Sequence, residues 1–314
     1  MPPVVGRYAP SPTGALHLGN LRTALAAFLH ARSRQGFCLL RVEDLDPPRV
    51  VPGAEANQIA DLAALALVWD GETIRQSERT RVYDHALDNL IERGLAYPCF
   101  CSRKDVREAA SAPHDDNAPL TYPGTCAQLD PDEARHRIEA GEQHSYRLRV
   151  KGAPRTFTDI FAGTISIDLP NQGGDFVIRR ADGLYAYQLA CAVDDALTSV
   201  TDVLRGADLL DSAARQAWLL QCIGYPVPDY YHIPLLHGPN GQRLAKRDGA
   251  DDLRAYFDLG LNTVQIRSYL AWTLGQCDKG EKHTLDELIV GFDLNRIPLD
   301  DVEVHDEDLR AFRS

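Results

Sequence analysis

A net charge of −12 on 314 residues argues against a protein that binds nucleic acid along its length through charge alone. It still permits a local basic surface that meets one folded RNA. The apolar content of 44% is that of a globular protein, and no apolar run approaches the eighteen residues of a membrane span. The N-terminus lacks a signal-peptide pattern and the seven cysteines are scattered, so we expect a cytoplasmic protein with reduced thiols.

The first forty residues predict a strand, a loop, a helix and a second strand. A short buried strand is predicted over residues 4–8, and two prolines end it because they remove backbone donors. Apolar residues then recur at helical spacing up to Gly36, and residues 37–42 read as the next buried strand. Such a βαβ unit places its ligand at the carboxyl ends of its strands.

The loop before this helix carries groups that suit an anionic ligand. Gly19 lets a flat ligand approach the backbone, and the helix start offers unpaired N–H groups to a phosphate. His17 can donate to a phosphate oxygen. Arg7 and Glu43 follow neighbouring strands, where they could bind the two charges of a zwitterion. The alternative is a capped helix with a surface histidine.

This stretch resembles a known family. The string Arg-Tyr-Ala-Pro-Ser-Pro-Thr-Gly-Ala-Leu-His-Leu-Gly-Asn, residues 7–20, is similar to the first signature of class I glutamyl-tRNA synthetases. Arg-Val-Glu-Asp-Leu-Asp at 41–46 resembles the strand that follows in that family. Pro-Pro-Arg at 47–49 and Pro-Gly-Ala at 52–54 resemble its shorter members, the glutamyl-Q tRNA(Asp) synthetases. The resemblance continues past residue 250.

Two helices are predicted next, over residues 54–68 and from residue 76 onward. Gln-Ser-Glu-Arg at 76–79 also occurs in the glutamyl family, and a polar helix start explains it nearly as well.

Three cysteines indicate a zinc site. Cys99 and Cys101 are two residues apart, and Cys126 follows a polar loop. Clustered cysteines in a reducing compartment bind metal more often than they form disulfides, and zinc takes four ligands. Spacing alone favours His114 as the fourth ligand, whereas the resemblance implies Tyr122, because glutamyl-Q synthetases carry Cys-x-Cys and then Tyr-x3-Cys. A water molecule could also be the fourth ligand, and three incidental thiols would bind no metal.

Residues 127–170 read as a small α+β insertion, with a helix at 131–140 and strands at 145–150, 156–161 and 163–168. By resemblance this insertion contacts the RNA end. Six basic residues lie in this insertion or just before it. They could contact RNA phosphates, or they could equally form a solvent-exposed face: Arg103, Lys104, Arg107, Arg147, Arg149 and Lys151.

The chain then returns to the core. A hairpin turn is predicted at 181–183, a helix from residue 185, and a strand that ends at Arg205. The resemblance implies that Tyr187 and Arg205 line an amino-acid pocket. Arg205 suits the substrate's side-chain carboxylate because a guanidinium is bidentate and permanently charged. A structural arginine paired with Asp194 or Asp208 is the alternative.

A helix at 212–223 and a strand near 231–236 precede the last motif. Gln-Arg-Leu-Ala-Lys-Arg at 242–247 resembles the second class I signature, usually Lys-Leu-Ser-Lys in this family. Lys246 and Arg243 keep the two positive charges of that signature, and Ala245 lacks the hydroxyl of its serine. Such cations stabilise charge that builds up at the α-phosphate. A surface cluster is the alternative.

We therefore predict an α/β protein with a doubly wound, mostly parallel Rossmann-like sheet, a zinc-bearing α+β insertion and a short helical C-terminal tail. The catalytic domain is assigned to residues 1–95 and 172–240. The zinc-binding and acceptor-binding insertion is assigned to 96–171. The signature loop and tail take 241–314, with helices near 251–259 and 262–274, an acidic tail and no anticodon-binding domain.

The resemblance implies that a monomer activates L-glutamate with ATP and Mg²⁺, without tRNA, and transfers it to queuosine in the anticodon of tRNA(Asp). Implied glutamate contacts are Arg7, Ala9, Ser11, Glu43, Tyr187 and Arg205. Implied ATP contacts are His17, Gly19, Asn20, Arg243, Lys246 and Arg247, with His17 and Lys246 catalytic. One zinc is implied at Cys99, Cys101, Tyr122 and Cys126. The rivals are a truncated glutamyl-tRNA synthetase that charges a 3′ end and a non-catalytic zinc-containing RNA-binding paralogue.

Overall fold

The computed structural model describes residues 3–102, 104–106, 121–154, 156–239 and 252–313. The βαβ unit expected at the N-terminus is present. Strand β1 is Val5–Tyr8, helix α1 is Leu18–Ser33 and strand β2 is Phe37–Val42. β1 and β2 run parallel, as a helical crossover requires.

The further elements of the described residues follow in chain order. The helices are α2 (Ala54–Ala64), α3 (Thr80–Glu92), α4 (Pro131–Glu139), α5 (Tyr187–Leu197), α6 (Leu210–Ile223), α7 (Leu253–Asp258), α8 (Thr263–Thr273), α9 (Leu285–Gly291) and α10 (Asp306–Arg310). The strands are β3 (Ile74–Arg75), β4 (Ala96–Cys99), β5 (Ser145–Leu148), β6 (Thr156–Asp159), β7 (Gly163–Ser166), β8 (Phe176–Arg179), β9 (Asp202–Gly206), β10 (Asp229–Ile233), β11 (Leu236–His237) and β12 (Val302–Glu303). Among these helices, none is long and apolar enough to cross a membrane.

Parallel strands form the centre of the fold. β2 pairs with β3, and β9 pairs with β10, each in parallel register. The two groups adjoin at β1, because the Thr201 N–H donates to the Val5 carbonyl at 2.9 Å and the Val5 N–H donates to Thr201 Oγ1 at 2.9 Å. The strands therefore lie in the order β3-β2-β1-β9-β10. This order reverses direction at β1, where a doubly wound sheet leaves a crevice for its ligand.

Helix α1 lies at the centre of the main core. Leu21, Leu25 and Leu29 are fully buried, at the helical spacing seen in the sequence. The helix packs on β1 and β9 on one side and on α8 and α9 on another. Its burial on several faces explains why apolar residues surround it instead of forming one stripe.

The two helices expected near 251–259 and 262–274 are present as α7 and α8. The residues beyond them, expected as an acidic tail, add α9 and α10, and β12 pairs in parallel with β11. Phe312 is fully buried in the main core. Apolar side chains spaced among the acidic ones therefore fold this segment back onto α1.

A second, antiparallel sheet has the order β4-β5-β8. β4 and β5 lie in the stretch assigned from sequence to the insertion, and β8 lies in the stretch assigned to the second half of the catalytic domain. β6 and β7 form a separate antiparallel hairpin. Its first strand ends beside β10, where the Ile160 N–H donates to the Tyr230 carbonyl at 2.8 Å.

A buried carboxylate ties α3 to α5. Asp194 accepts from Arg79 Nε at 2.6 Å, from Gln76 Nε2 at 2.9 Å and from the Tyr83 hydroxyl at 2.9 Å. Asp194 and Tyr83 are fully buried, so these bonds replace water entirely. The polar start of the helix at residues 76–79 therefore supplies two of the donors that neutralise Asp194.

Replacing Asp194 by alanine should lower the free energy of unfolding by about 3 kcal/mol or more, because three donors lose their acceptor inside the protein. Denaturant unfolding followed by circular dichroism measures this change. The matched control is Asp182→Ala. Asp182 pairs with Arg180 on the surface, its side chain is 47% exposed, and such pairs contribute less than about 1 kcal/mol. Equal losses in the two variants would contradict the role given to Asp194.

Candidate active site

A cavity of about 590 Å³ opens at the carboxyl ends of β1, β2 and β9. The glutamate-binding and ATP-binding residues predicted from sequence in the described ranges all line it: Arg7, Ala9, Ser11, His17, Gly19, Asn20, Glu43, Tyr187 and Arg205. Arg243, Lys246 and Arg247 lie outside the described residues. The fold thus brings residues from both halves of the sheet to one crevice.

His17 is the N-cap of α1. Its Nδ1 accepts from the Asn20 N–H at 3.3 Å, while Asn20 Oδ1 accepts from the His17 N–H at 3.2 Å. This reciprocal cap makes Nδ1 an acceptor, so the neutral imidazole carries its proton on Nε2. His17 is therefore a structural cap, which was the alternative raised by the sequence, and its neutral ring carries an N–H at Nε2.

Gly19 is required by the position of this ring. A Cβ at Gly19 would lie 3.1 Å from His17 Cε1 and 3.2 Å from Nδ1. Both distances are shorter than ordinary van der Waals contact. The glycine therefore makes room for the imidazole as well as for a ligand.

Arg7 and Glu43 are held by a buried network centred on Arg41. Arg41 Nη1 lies 2.5 Å from Asp195 Oδ1, and Arg41 Nη2 lies 3.2 Å from Glu43 Oε1. Arg7 Nε lies 3.4 Å from the same Asp195 oxygen. Burial works to lower the pKa of Arg41, but Asp195, Glu43 and Asp194 together hold that pKa well above its usual value. Arg41 is therefore charged, and carboxylates contact both Arg41 and Arg7.

A buried thiol also belongs to this network. Cys191 Sγ donates to Glu43 Oε1 at 3.1 Å. Burial and the neighbouring Glu43 raise the pKa of Cys191 well above the usual thiol value, so it stays a protonated donor. Sequence reasoning missed Cys191 and Arg41. The signal was present for Arg41, because an arginine inside the apolar run of β2 needs buried carboxylate partners.

Arg205 stands apart from that network. Its Nε donates to His232 Nε2 at 2.8 Å, its Nη1 to Gln216 Oε1 at 2.8 Å and its Nη2 to the Leu209 carbonyl at 3.3 Å. In the described part of the chain its hydrogen-bond partners are thus neutral groups. Asp194, one of the two structural partners that the sequence allowed, instead binds Arg79.

Sequence reasoning also missed Gln58, Arg22 and His237, which line the cavity. Gln58 Nε2 donates to the carbonyls of Ser11 at 3.0 Å and Gly14 at 2.7 Å, and so supports the loop. Arg22 Nη1 donates to the Pro234 carbonyl at 2.6 Å, and burial lowers the pKa of Arg22 to about 10. His237 also lines the cavity. Their partners are distant in the chain, so periodicity carried no sign of them.

The three cysteines form a cluster away from this cavity. The sulfurs of Cys99, Cys101 and Cys126 all lie within 4.8 Å of one another. The Tyr122 hydroxyl lies 3.3 Å from Cys99 Sγ and 3.8 Å from Cys101 Sγ, and it accepts from the Cys126 N–H at 2.9 Å. His114, also considered as the fourth ligand, lies outside the described residues. The structure thus places the predicted tyrosine beside the three thiols.

Two of the basic residues of the insertion have structural partners. Arg147 Nε donates to Cys99 Sγ at 3.2 Å, and its guanidinium lies 3.7 Å from the centre of the Tyr122 ring. Arg149 lies 4.4 Å from the centre of the Tyr97 ring. Arg147 thus contacts the cysteine cluster, and Arg149 contacts the neighbouring sheet. Arg103 and Arg107 lie outside the described residues.

A doubly wound parallel sheet with a capped His-x-Gly loop at its switch point is the catalytic architecture of class I tRNA synthetases. Residues 3–310 match the family model described as tRNA synthetases class I (E and Q), catalytic domain. The chain belongs to this family and, within it, to the glutamyl-Q tRNA(Asp) synthetases, on the similarities that follow.

The chain is 46% identical to the glutamyl-Q tRNA(Asp) synthetase of Symbiobacterium thermophilum, over 98% of this chain and 97% of that relative. It is 49% identical to the one from Geobacter sulfurreducens, over 82% of this chain and 80% of that relative. Among solved structures, a glutamate–tRNA synthetase from Elizabethkingia anophelis superposes with a TM-score of 0.85 at 28% identity, over 98% of this chain and 69% of that chain.

Gly19→Ala should displace the His17 ring, because the new Cβ would contact Cε1 and Nδ1. The nitrogen-15 and proton resonances of the imidazole and the Asn20 amide report this displacement. Gly291→Ala is the matched control, since Gly291 also lies in a helix and a Cβ there meets nothing within 4 Å. Unchanged His17 resonances in Gly19→Ala would show that the ring is not confined by this position.

Proposed function

We propose that this protein is a ligase that activates L-glutamate with ATP and transfers the glutamyl group to queuosine in tRNA(Asp). The activation of glutamate is supported by one observation. The capped His17 loop lines the same cavity as Arg205, Arg7 and Glu43. Phosphate-binding and amino-acid-binding groups within one crevice suit a reaction between these two substrates.

The first reaction forms an adenylate. A carboxylate oxygen of glutamate attacks the α-phosphorus of ATP, the bond to the β,γ-diphosphate breaks, and pyrophosphate leaves. His17 donates from Nε2 to a phosphate oxygen, and the backbone at Gly19 and Asn20 receives phosphates at the positive end of α1. Lys246, Arg243 and Arg247 neutralise the charge that develops at the α-phosphate. Mg²⁺ accompanies ATP as part of that substrate.

The amino acid is bound by charge. Arg205 receives the side-chain carboxylate, and Glu43 receives the α-ammonium group. Ala9, Ser11 and Tyr187 line the same wall, and Arg7 carries the second nearby positive charge. All these groups come from one chain. The proposal includes a monomer that acts in the cytoplasm, where its RNA substrate occurs.

Arg205→Ala should reduce glutamate-dependent pyrophosphate exchange, measured without tRNA, by at least about tenfold, because a buried carboxylate loses a charge-assisted bidentate partner. The KM for ATP should change little. The control is Arg215→Ala on α6, whose guanidinium donates to the carbonyls of Asp211 and Gln172 at the surface. If Arg205→Ala keeps the parent KM for glutamate, the side-chain carboxylate binds elsewhere; if the parent requires tRNA for exchange, tRNA-independent activation is refuted.

The cysteine cluster fits a zinc ion. Zn–S bonds of about 2.3 Å in a tetrahedron separate the sulfurs by about 3.8 Å. Cys101 Sγ and Cys126 Sγ lie 3.5 Å apart, and the Tyr122 hydroxyl lies within reach of the set. Cys99, Cys101, Cys126 and Tyr122 would hold the metal, and Arg147 would offset part of their negative charge. The bound zinc would fix the start of the insertion, assigned to residues 96–171.

The purified protein should contain one zinc per chain, measured by elemental analysis. Cys99→Ser combined with Cys126→Ser should lose it, because two thiolate ligands become hydroxyls. Cys222→Ser is the control, as this buried cysteine lies outside the cluster. Full zinc content in the double variant, or none in the parent, would refute the site.

The acceptor is proposed from the relatives. The similarity to proteins named glutamyl-Q tRNA(Asp) synthetase extends over nearly the whole length of the Symbiobacterium thermophilum protein. Charging of a 3′ end, as a glutamate–tRNA ligase does, is the rival within the same family. The intact His17 cap and the Arg205 pocket speak against a non-catalytic RNA-binding paralogue.

Glutamate should be transferred to tRNA(Asp) that contains queuosine, and also to such a tRNA shortened at its 3′ end. It should not be transferred to queuosine-free tRNA(Asp) or to tRNA(Glu). Labelled glutamate followed by nuclease mapping locates the attachment. A requirement for the intact 3′ end would favour the rival reaction.

A further inference from the structure

Arg205 is the end of a buried chain of hydrogen bonds. Arg205 on β9 and His232 on β10 are directly opposite in the parallel register. Arg205 Nε donates to His232 Nε2 at 2.8 Å, and His232 Nδ1 lies 2.6 Å from Asp159 Oδ2. The three residues are at most 5% exposed, at 4%, 2% and 1% respectively. Water therefore does not compete for these bonds.

The hydrogen-bond partners of His232 determine its tautomer and its protonation state. A guanidinium N–H can only donate, so Nε2 must accept, and the single proton of the neutral ring must sit on Nδ1. That proton is donated to Asp159. Burial lowers the pKa of His232, the positive charges of Arg205 and Arg7 lower it further, and Asp159 opposes them. The net direction is downward, so the ring is a neutral acceptor at neutral pH.

Asp159 is itself firmly held. Its carboxylate accepts from the backbone N–H groups of Phe161 at 2.9 Å, Ala162 at 2.6 Å and His232 at 3.1 Å. Asp159 ends β6, so the anion that orients His232 comes from the β6–β7 hairpin and not from the parallel sheet. The pKa of Asp159 is lowered: burial would raise it, but the bonds from His232 and the backbone outweigh that effect.

These hydrogen bonds, together with two more, fix the rotation of the Arg205 guanidinium. Its five N–H groups include one on Nε, bound to His232, one on Nη1, bound to Gln216, and one on Nη2, bound to the Leu209 carbonyl. One N–H then remains on each terminal nitrogen. A carboxylate accepts from both together, whereas a carboxamide has one oxygen and would set its NH₂ group against the second N–H.

We propose that Asp159 and His232 are positioning residues that lock Arg205 in the orientation that selects glutamate over glutamine. The proposal rests on the proposed function, because it assigns the side-chain carboxylate of the substrate to Arg205. With the lock broken, Arg205 can tilt and bind either side chain through a single contact. The affinity for glutamate then falls more than the affinity for glutamine.

The first test compares variants of the lock by pyrophosphate exchange with glutamate and with glutamine. In Asp159→Asn, the amide oxygen of the new side chain can accept from the backbone donors, while the amide NH₂ faces His232 Nδ1. His232 Nδ1 must then accept, so the ring proton moves to Nε2, where it faces the N–H donor of Arg205. Asp159→Asn and His232→Leu should raise the KM for glutamate by about tenfold and lower the glutamate preference similarly, with the KM for ATP unchanged. His232→Gln, which can return an oxygen acceptor to Arg205 Nε, should recover most of the preference.

The chain offers a matched control. His30 and Asp202 form a second buried histidine–aspartate pair, with His30 Nε2 2.8 Å from Asp202 Oδ1. Neither residue lines the cavity. Asp202→Asn makes the same chemical change there, so it reports the effect on stability alone and should leave the glutamate-to-glutamine ratio at the parent value.

A pH profile separates positioning from a merely structural role. As pH falls below the usual histidine range toward the lowered pKa of His232, protonation places a donor against Arg205, and the KM for glutamate should rise. His232→Gln has no titrating ring and should show a smaller rise over the same range. An equal rise in parent and His232→Gln, or an unchanged KM and preference in folded Asp159→Asn and His232→Leu, would overturn the lock. Absence of glutamate-dependent exchange in the parent would instead refute the proposed function.

Discussion

The site depends on the burial of Arg41 among carboxylates. Its guanidinium meets Asp195 at 2.5 Å and Glu43 at 3.2 Å, and Asp195 also lies 3.4 Å from Arg7. Removing a single partner from such a set leaves an uncompensated charge inside the protein, which costs several kcal/mol. β1, β2 and α5 each contribute to the set. The orientation of three elements is therefore linked to one balance of charge.

That balance explains why Arg7 and Arg205, which both line the cavity, differ in role. Arg7 and Arg41 share carboxylates, so most of their charge is already matched. Arg205 is bound by an imidazole, an amide and a carbonyl, so its charge is available to a ligand. Under the proposed function, the cavity thus offers one strong anion site at Arg205 and a polar wall at Glu43 for the opposite end of the amino acid.

Contacts through the interior connect elements that belong to different parts of the chain. Asp159 from β6 binds His232 on β10, and β8 pairs with β5. Asp194 on α5 collects donors from the turn before α3. These bonds join segments that are far apart in the chain. A disturbance of the insertion therefore has a direct path, through His232, to the guanidinium of Arg205.

The sequence by itself determined the βαβ unit, most helices, the cysteine cluster and the site residues that line the cavity. These depend on local spacing, on glycine and proline, or on a recognisable motif. Only the tertiary structure decided the partners of each charge. Nothing local to Asp159 or His232 indicates that the two will face each other, and nothing local to Arg41 indicates Asp195, because these partners lie on different elements. Burial makes such pairing obligatory, and the packing of the elements selects which residues form the pairs.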